Sequence, residues 1–271
     1  MKIQLRHTTR LDYTNEVTDG VMDVRLGPLS DDHQRWVAFQ LHATPNAAVG
    51  SYVDGFGNAA NLITVRRAHK FLEVESRGEI ETLLSDPFMV PLRAPRELTA
   101  VERVDYLAPS PLVPADERLP LMAADVAMLE PFDAVRGLMQ VVHSTLAYEQ
   151  QVTDVTSDVR AVLDAGSGVC QDFTHVLIGL CRALAIPARY VSGYLVSGRG
   201  IGENASHAWV EAYTPSHGWR GFDPTNDLVA SDQHVKMAIG RDYGDVPPTR
   251  GAYRGAAEER LSVGVAVLPV D

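Results

Sequence analysis

Short runs in which apolar and polar residues alternate dominate the first 85 residues. Alternation with a period of two is typical of β-strands that have one buried face. Turn-forming residues separate the runs at 18–20, 45–46 and 54–58. The runs are KIQLRHTTRLDY, VMDVRLGPL, WVAFQLHATP, LITVRRA and HKFLEVESRGEIET. They predict a small antiparallel β domain over residues 1–85, in which we identify no residues that carry chemistry.

A proline-rich passage follows at residues 86–120. Its prolines are Pro87, Pro91, Pro95, Pro109, Pro111, Pro114 and Pro120. This density excludes a long helix or a central strand there. Because the passage also holds apolar residues such as Phe88, Met89 and Leu92, we predict an ordered strap that lies over a neighbouring element rather than a free linker.

A helical repeat replaces the alternation from about residue 121. Apolar residues at helical spacing form one face at Val135, Leu138, Met139, Val142 and Leu146. A clearer stripe begins after Cys170 and comprises Phe173, Val176, Leu177, Leu180, Cys181 and Leu184. Residues 189–196, 207–213 and 219–223 then predict strands, with a Gly-rich loop at 197–206. We predict an α+β domain over residues 121–271, whose C-terminal extension ends in a further strand, LSVGVAVLPV.

Composition and charge narrow the class of protein. The chain has 271 residues, of which 45% are hydrophobic and 22% charged, as in ordinary globular proteins that need no metal or disulfide to fold. A net charge of −11 argues against a nucleic-acid partner, which requires a basic face. The first residues, MKIQLRHTTR, contain no apolar h-region, so we expect no secretory signal, and we expect no transmembrane helix because no segment approaches 18 uninterrupted apolar residues. We therefore expect a cytoplasmic protein without a membrane partner.

The two cysteines are expected to be free thiols. On one helix, Cys170 and Cys181 would lie roughly 16 Å apart, whereas a disulfide tolerates at most about 7 Å between Cα atoms. Free thiols agree with a reducing compartment.

Cys170 is the candidate nucleophile because it stands where the predicted helix begins, shortly after Gly166, Ser167 and Gly168. The partial positive charge at a helix N-terminus favours thiolate over thiol. The first N–H groups of a helix also lack internal partners, so the N–H of Cys170 can bind an oxyanion. The alternative is a buried structural cysteine, an assignment that suits Cys181 on the apolar stripe.

His207 is the candidate base among nine histidines. It begins a predicted strand directly after the Gly-rich loop. His175 lies about 140° around the helix from Cys170 and is expected to be a packed or surface residue. His217 falls in a predicted turn and is expected to be exposed.

Asp223 is the candidate residue that orients the base. A hairpin centred near Pro215 would place Asp223 directly opposite His207, within one residue of register. Directly opposed residues have Cβ atoms about 4.5–5.5 Å apart. The carboxylate could then accept from one imidazole nitrogen and leave the other for the thiol. The alternative is a surface ion pair or a turn aspartate before Pro224.

Metal and phosphate chemistry are not expected. The sequence contains no HExxH, no CxxC and no zinc deaminase pattern. The segment GRGIGE lacks the Lys-Ser/Thr of a P-loop. We predict neither a metal nor a cofactor.

These motifs resemble those of the bacterial transglutaminase-like superfamily, whose members are often described as cysteine proteases. The resemblance is carried by GVCQDFTHV, IPARYVSGYL, HAWVEAY and GWRGFDPTN, and TTRLDYTNEV, DVRLGP, DGFGN and GRDYGDVPPTRGAYRG extend it over nearly the whole chain. It implies a papain-like, transglutaminase-core α+β fold, with the nucleophile helix packed on an antiparallel sheet. It also implies a triad of Cys170, His207 and Asp223.

The expected activity is thiol-dependent hydrolysis of an amide or peptide bond, with a peptide or small amide as substrate. Acyl transfer to an amine and a non-catalytic peptide-binding module remain alternatives. Tyr148 could donate to the oxyanion or simply pack, and Trp209 could wall the cleft or the core. Asp172 is expected to stabilise the helix dipole. Arg241, Asp242 and Tyr243 look specific to the family, in roles that the sequence does not define.

Overall fold

The computed structural model describes residues 1–196 and 206–270. The Gly-rich loop predicted at 197–206 therefore lies outside the described residues, except for Ser206. Within these ranges, no helix combines the length and apolar content that a membrane span requires.

Over the described residues, the chain begins with five strands and continues with five α-helices and nine further strands in mixed order. The strands are β1 (Lys2–Val24), β2 (Gln34–Thr44), β3 (Ala48–Val53), β4 (Ala59–Val65), β5 (His69–Thr82), β6 (Ala147–Tyr148), β7 (Ser167–Gly168), β8 (Ala188–Leu195), β9 (Ser206–Thr214), β10 (Gly218–Asp223), β11 (Leu228–Val229), β12 (His234–Gly240), β13 (Thr249–Arg254) and β14 (Glu259–Val270). The helices are α1 (Ala100–Leu107), α2 (Arg118–Met122), α3 (Pro131–Thr145), α4 (Val159–Ala165) and α5 (Cys170–Ala183).

The N-terminal strands form an antiparallel sheet in the order β2-β5-β1-β4-β3. The long strand β1 organises it, because its first half pairs with β5 and its second half with β4. Every second residue at the start of β1, including Ile3 and Leu5, is buried, which is the period that the sequence shows. The predicted antiparallel β domain is present.

The C-terminal strands belong to this same sheet. β14 pairs with β1 without a break from Lys2↔Val270 to Tyr13↔Glu259, and β13 pairs with the second half of β1. Sequence alone assigned these residues to the domain at 121–271. The pairing with β1 supplies each half of that strand with a second neighbour, so it does not present an open edge.

The proline-rich passage at 86–120 lies against the second domain. The Arg220 guanidinium donates to the carbonyls of Pro87 and Met89 at 3.3 Å each, and the Tyr213 hydroxyl donates to the carbonyl of Arg96 at 3.0 Å. The passage also contains α1, which begins at a Thr99 N-cap closed by Glu102 and fits between Pro95 and Pro109. These contacts tie the passage to β9 and β10.

The second domain is an antiparallel sheet in the order β11-β10-β9-β8-β12, with α5 on one face. Alternate residues of β9, such as Ala208 and Val210, pack beneath the α5 stripe that includes Val176 and Leu177. Every residue from Gln171 to Cys181 is buried, so α5 is a central helix rather than a surface one. This is the nucleophile-helix-on-sheet arrangement predicted for the fold class.

Side-chain amides from the N-terminal domain complete the outer edge of β12. Gln34 accepts from the N–H of Lys236 at 2.8 Å and donates to its carbonyl at 2.7 Å. Asn58 makes the equivalent pair with Ile239, at 2.8 Å in both directions. Because β12 ends the sheet, the two carboxamides stand in for the backbone of a further strand.

Gly193 leaves the space that Trp209 fills on the sheet face away from α5. A Cβ at Gly193 would lie 2.2 Å from the Val235 carbonyl oxygen and 2.4 Å from the indole ring of Trp209. We expect Gly193→Ala to destabilise the protein by about 1–3 kcal/mol, because the backbone of β12 must move. A Cβ at Gly264 meets nothing within 4 Å, so Gly264→Ala serves as the matched control. Urea unfolding compares the two, and equal midpoints would contradict this packing.

Candidate active site

The loop before α5 fixes where the Cys170 thiol lies. α4 ends at Gly166 in the left-handed conformation, with φ of 66°, and β7 then pairs in parallel with β6. Cys170 is the first residue of α5 and is partly exposed, whereas Cys181 is buried; both thiols are free. Burial raises the pKa of Cys181 to about 12, so Cys170 is the thiol available for chemistry.

Asp172 holds the start of α5 in place. Its Oδ2 accepts from the N–H of Val169 and from the Thr153 hydroxyl, both at 2.7 Å. A Cβ at Gly168 would lie 2.5 Å from that oxygen, so the capping geometry requires glycine there. Asp172 therefore caps the helix directly, beyond the dipole role that the sequence suggested.

His207 and Asp223 meet through a diagonal pairing. The β9–β10 ladder matches Phe222 with Val210 and Trp219 with Tyr213, so Asp223 falls opposite Trp209 and not opposite His207 as predicted. Diagonal neighbours on one face remain within reach of long side chains. His207 Nε2 lies 2.8 Å from Asp223 Oδ2, and both side chains are fully buried.

Asp223 is held by partners on all sides. Its Oδ1 accepts from the backbone N–H groups of Thr225 at 3.1 Å and Asn226 at 3.2 Å, and the Asn226 amide donates to Oδ2 at 2.8 Å. His234 Nε2 lies 3.3 Å from the same Oδ2. Burial would raise the pKa of Asp223, but the hydrogen bonds from His207 and His234 hold it well below its ordinary value. The carboxylate is therefore ionised and fixed.

His207 lies between Asp223 and Cys170. Burial alone would lower the pKa of His207, but the hydrogen bond and charge of Asp223, followed by the influence of the neighbouring Cys170 side chain, raise it to about 10. With Nε2 committed to Asp223, Nδ1 is the nitrogen left for the thiol. Nδ1 is buried and has no hydrogen-bond partner in the part of the chain that the structure describes.

The two secondary candidates occupy different surroundings. Trp209 is only 2% exposed and stacks on His207, with ring centroids 6.2 Å apart at 29°, so it belongs to the core beneath the base. Tyr148 is 38% exposed, and its ring centroid lies 6.3 Å from that of Phe173. Burial and the charge of Cys170 raise the pKa of Tyr148, so its hydroxyl stays protonated near the thiol.

The histidines set aside in the sequence are both packed. His175 is fully buried and accepts from the N–H of Tyr243 at 3.1 Å, and burial lowers its pKa to about 4. The expectation that His217 is exposed was wrong: it is 9% exposed and stacks on Phe132 at 4.1 Å. A turn position did not predict burial because the turn is covered by other elements of the fold.

The family-specific residues Arg241, Asp242 and Tyr243 lie behind α5. The Asp242 carboxylate accepts from the N–H of Leu112 at 3.1 Å and of Gly244 at 2.8 Å, while Arg241 pairs with Asp245 at 2.9 Å. The Tyr243–His175 bond fastens the segment after β12 to the middle of α5, and the Asp242–Leu112 bond ties the same segment to the proline-rich passage.

His234 is the site residue that sequence reasoning missed. It begins β12, and its contact with Asp223 comes from a strand on the far side of β8 and β9. The only sequence signal is a histidine opening the apolar run HVKMAIG. That signal cannot show which residue of another strand the ring will reach.

One acidic cluster with the spacing of metal ligands occurs among residues 1–196 and 206–270. The ligand atoms of Asp31, His33 and Glu211 lie within 4.8 Å of one another. The Lys236 ammonium contacts Asp31 at 2.5 Å and also contacts Glu211. An ammonium already takes the place that a cation would occupy, so the cluster is an ion-pair network.

The pH at which kcat/KM falls on the alkaline side of its pH profile should depend on Asp223. If the imidazolium of His207 is needed, kcat/KM should fall as pH rises through about 10. Asp223→Asn removes the anion that raises this pKa, so the limb should move to lower pH by about 1–3 units. His234→Leu removes a second hydrogen-bond donor from Asp223 and leaves the bond to His207 in place. The alkaline limb of this variant should therefore not move to lower pH. Profiles of kcat/KM from pH 6 to 11 measure both, and an unmoved limb in Asp223→Asn would contradict the assignment.

Known proteins place the chain in a family. A sequence profile of the Transglutaminase-like superfamily matches residues 122–224, and one of the Bacterial transglutaminase-like N-terminal region matches residues 3–81. An uncharacterized protein of Mycobacterium leprae is 31% identical over 276 residues, covering 98% of each chain. A protein-glutamine gamma-glutamyltransferase of Pseudomonas aeruginosa is 31% identical over 106 residues, covering 35% of this chain and 16% of that protein.

A solved structure shows the same fold over the whole chain. The crystal structure of a candidate cysteine protease from Cytophaga hutchinsonii matches with a TM-score of 0.77 at 22% identity, covering 100% of this chain and 92% of that one. The predicted α+β fold class, with its N-terminal β domain, is confirmed. The chain belongs to the transglutaminase-like superfamily.

Proposed function

We propose that the protein is a thiol-dependent hydrolase of amide or peptide bonds, with Cys170 as nucleophile, His207 as acid and base, and Asp223 as the orienting carboxylate. The observation that carries the proposal is the buried His207–Asp223 pair at 2.8 Å, together with a partly exposed Cys170 thiol at a helix N-terminus that lies close enough to His207 to raise its pKa. A nucleophile, a base within reach and a group that orients the base are the parts that covalent acyl chemistry needs.

Acylation begins from the charged pair. Because the pKa of His207 is raised to about 10, its imidazole is basic enough to accept the thiol proton. The Cys170 thiolate attacks the amide carbonyl, and the carbonyl oxygen becomes an oxyanion. The N–H of Cys170 at the start of α5 is placed to donate to it, with the Tyr148 hydroxyl as a second donor. His207 then gives its proton to the leaving amine, and a thioester remains.

Deacylation reverses the roles of the same groups. His207, now neutral, takes a proton from water as the water oxygen attacks the thioester carbonyl. The second tetrahedral intermediate collapses, the carboxylic acid leaves, and the thiolate–imidazolium pair returns. Asp223 stays ionised throughout and stabilises each imidazolium that forms. No metal or cofactor is required for these steps.

Acyl transfer to an amine is the second candidate function. A Pseudomonas relative that matches over 106 residues bears the name protein-glutamine gamma-glutamyltransferase, and the same thioester would serve if an amine replaced water. The two reactions differ in how well the site excludes water and binds an amine. A purely peptide-binding role would not need an ionised carboxylate buried against a protonated histidine.

Ammonia release from a glutamine peptide tests the proposal. Wild-type protein, Cys170→Ala and the matched control Cys181→Ala are incubated with benzyloxycarbonyl-glutaminylglycine and with a peptide library, with and without methylamine. Hydrolysis predicts a free carboxylate or a cut peptide in both conditions, with no loss in Cys181→Ala and complete loss in Cys170→Ala. Methylamide products would establish acyl transfer instead, and product that persists in Cys170→Ala would refute both.

A further inference from the structure

A cleft of about 620 Å³ lies between the strap and the turn end of the β9–β10 hairpin. Residues 83–96 form one wall, and Tyr213, Trp219 and Arg220 form the other. Its volume is within the range of small-molecule pockets. β9 runs from His207 toward this end, and at about 3.3 Å per residue Tyr213 lies roughly 20 Å from His207. The cleft is therefore separate from the thiol site.

The cationic groups of the cleft outnumber its free carboxylates. Arg189 is paired with Glu211 at 2.5 Å and Arg96 with Glu102 at 2.6 Å. Asp31, which also lines the cleft, forms an ion pair with Lys236. Among the described residues that line the cleft, the charged side chains without a direct ion pair are two cations, Arg93 and Arg220, and one anion, Asp32.

Arg220 is a buried cation without a carboxylate in contact among the described residues. It is 4% exposed, and its guanidinium donates to carbonyl oxygens of Pro87, Met89 and Trp219. It also donates to His33 Nε2 at 3.0 Å, so that ring nitrogen is an acceptor and brings no charge of its own. A buried charge is ordinarily neutralised by a partner. Here carbonyl oxygens surround the guanidinium, and the charges of Glu211 and Asp32 act on it without a direct ion pair.

The rest of the wall is apolar and aromatic. Leu84 and Met89 come from the chain before and within the strap, and the partly exposed rings of Tyr213 and Trp219 come from the hairpin. Arg189 stacks at 4.0 Å over the Trp219 ring, which fixes the indole in place. A ligand here would meet guanidinium donors on one side and a rigid aromatic surface on the other.

We infer that this cleft binds a small organic carboxylate that carries an aromatic or branched apolar group. Arginine guanidinium groups bind carboxylates by paired, charge-assisted hydrogen bonds, and the apolar group would cover Trp219 and its neighbours. Four of the five N–H groups of Arg220 already donate within the protein. The exposed Arg93 would therefore make the paired contact, and Arg220 would add one hydrogen bond and its charge. The inference does not depend on the reaction performed at Cys170.

Calorimetric titration tests the inference with three probes: N-acetyl-L-phenylalanine, its carboxamide and acetate. The full chain carries Cys170→Ala, so that the carboxamide cannot be consumed. We expect the acid to bind at least about 10-fold more tightly than the carboxamide, which is the loss of one charge-assisted hydrogen bond of about 1.5 kcal/mol. Acetate should bind more weakly than the acid because it leaves the aromatic wall uncovered.

Arg93→Gln locates the binding site. Arg93 is exposed, so its replacement should leave the thermal midpoint unchanged. It should lower the affinity for N-acetyl-L-phenylalanine by about 5–10-fold. Arg103→Gln removes the same charge from an exposed residue of α1 outside the cleft and should change nothing. The inference is overturned if the acid does not bind, if the carboxamide or acetate binds as tightly as the acid, or if Arg93→Gln binds like Arg103→Gln.

Discussion

Replacing His207 with glutamine should lower kcat/KM for the amide substrate by about 10⁴-fold or more, the order of effect seen when one member of a catalytic triad is removed. Glutamine keeps a polar side chain of similar reach but cannot hold and return a proton. The thermal midpoint should stay near that of the wild type if Asp223 keeps its bonds to Thr225, Asn226 and His234. Steady-state kinetics on the substrate found by ammonia release make the measurement.

His217→Gln is the matched control for this substitution. His217 is also a buried histidine of the same hairpin, but it stacks on Phe132 rather than contacting Asp223. Its replacement should change kcat/KM by less than about threefold, since it lies at the opposite end of β9. Alkylation of Cys170 by iodoacetamide at neutral pH gives an independent readout, with buried Cys181 as the internal reference. If His207→Gln alkylates and turns over like the wild type, the thiol does not depend on this imidazole.

Replacing Glu211 with glutamine should destabilise the protein by about 3–5 kcal/mol, because removing one partner leaves buried charge uncompensated. The Glu211 side chain is 3% exposed and contacts both Arg189, at 2.5 Å, and Lys236. Glu75→Gln is the matched control, since Glu75 also contacts two cations, Arg6 and Arg77, at 2.5 Å.

The control should cost only about 0–1 kcal/mol, as for exposed ion pairs. Arg6 and Arg77 are 60% and 55% exposed, so water takes over when Glu75 is lost, whereas Arg189 at 11% has no such access. Guanidinium denaturation would obscure ion pairs, so urea is the denaturant of choice. Equal losses for the two variants would show that burial does not govern this network.

The same network sets a pH dependence of stability. Burial would raise the pKa of Glu211, but the charges of Lys236 and Arg189 hold it well below its ordinary value. A carboxyl whose folded-state pKa is depressed stabilises the protein above its unfolded pKa of about 4.3 and loses that contribution as pH falls. Wild-type stability should therefore decline more steeply below about pH 4 than that of Glu211→Gln, which has no carboxyl to protonate there.

The sequence predicted the helix and strands that carry the site better than the register in which those strands pair. The α5 stripe from Phe173 to Leu184 has a strong helical period, and its start at Cys170 follows from the glycines before it. Register between β9 and β10 depends on how many residues the turn consumes. Thr214 pairs with Gly218, so the hairpin is centred at Ser216 rather than Pro215, and Asp223 lies diagonal to His207. The pairing survived because both places lie on one face of the sheet.

Long-range partners were beyond the reach of sequence pattern. His234 contacts Asp223, and Lys236 contacts Glu211, only because β12 returns to the sheet beside β8. β14 shows an apolar run that fits any sheet, and no local signal in that run selects β1 as its neighbour. Buried charge networks of this kind arise from tertiary pairing, so their members look like ordinary surface residues in the sequence.

The two carboxamides that pair with β12 have a consequence for how the protein can be divided. A fragment that begins at residue 122 would contain the thiol, the base and the carboxylate, yet it would lack Gln34 and Asn58. Its β12 would then offer the outward N–H and C=O groups of Lys236 and Ile239 to any passing strand, as unprotected edges do in aggregating proteins. We therefore expect a fragment that begins at residue 122 to associate through β12, and we expect the N-terminal domain to prevent this association in the full chain.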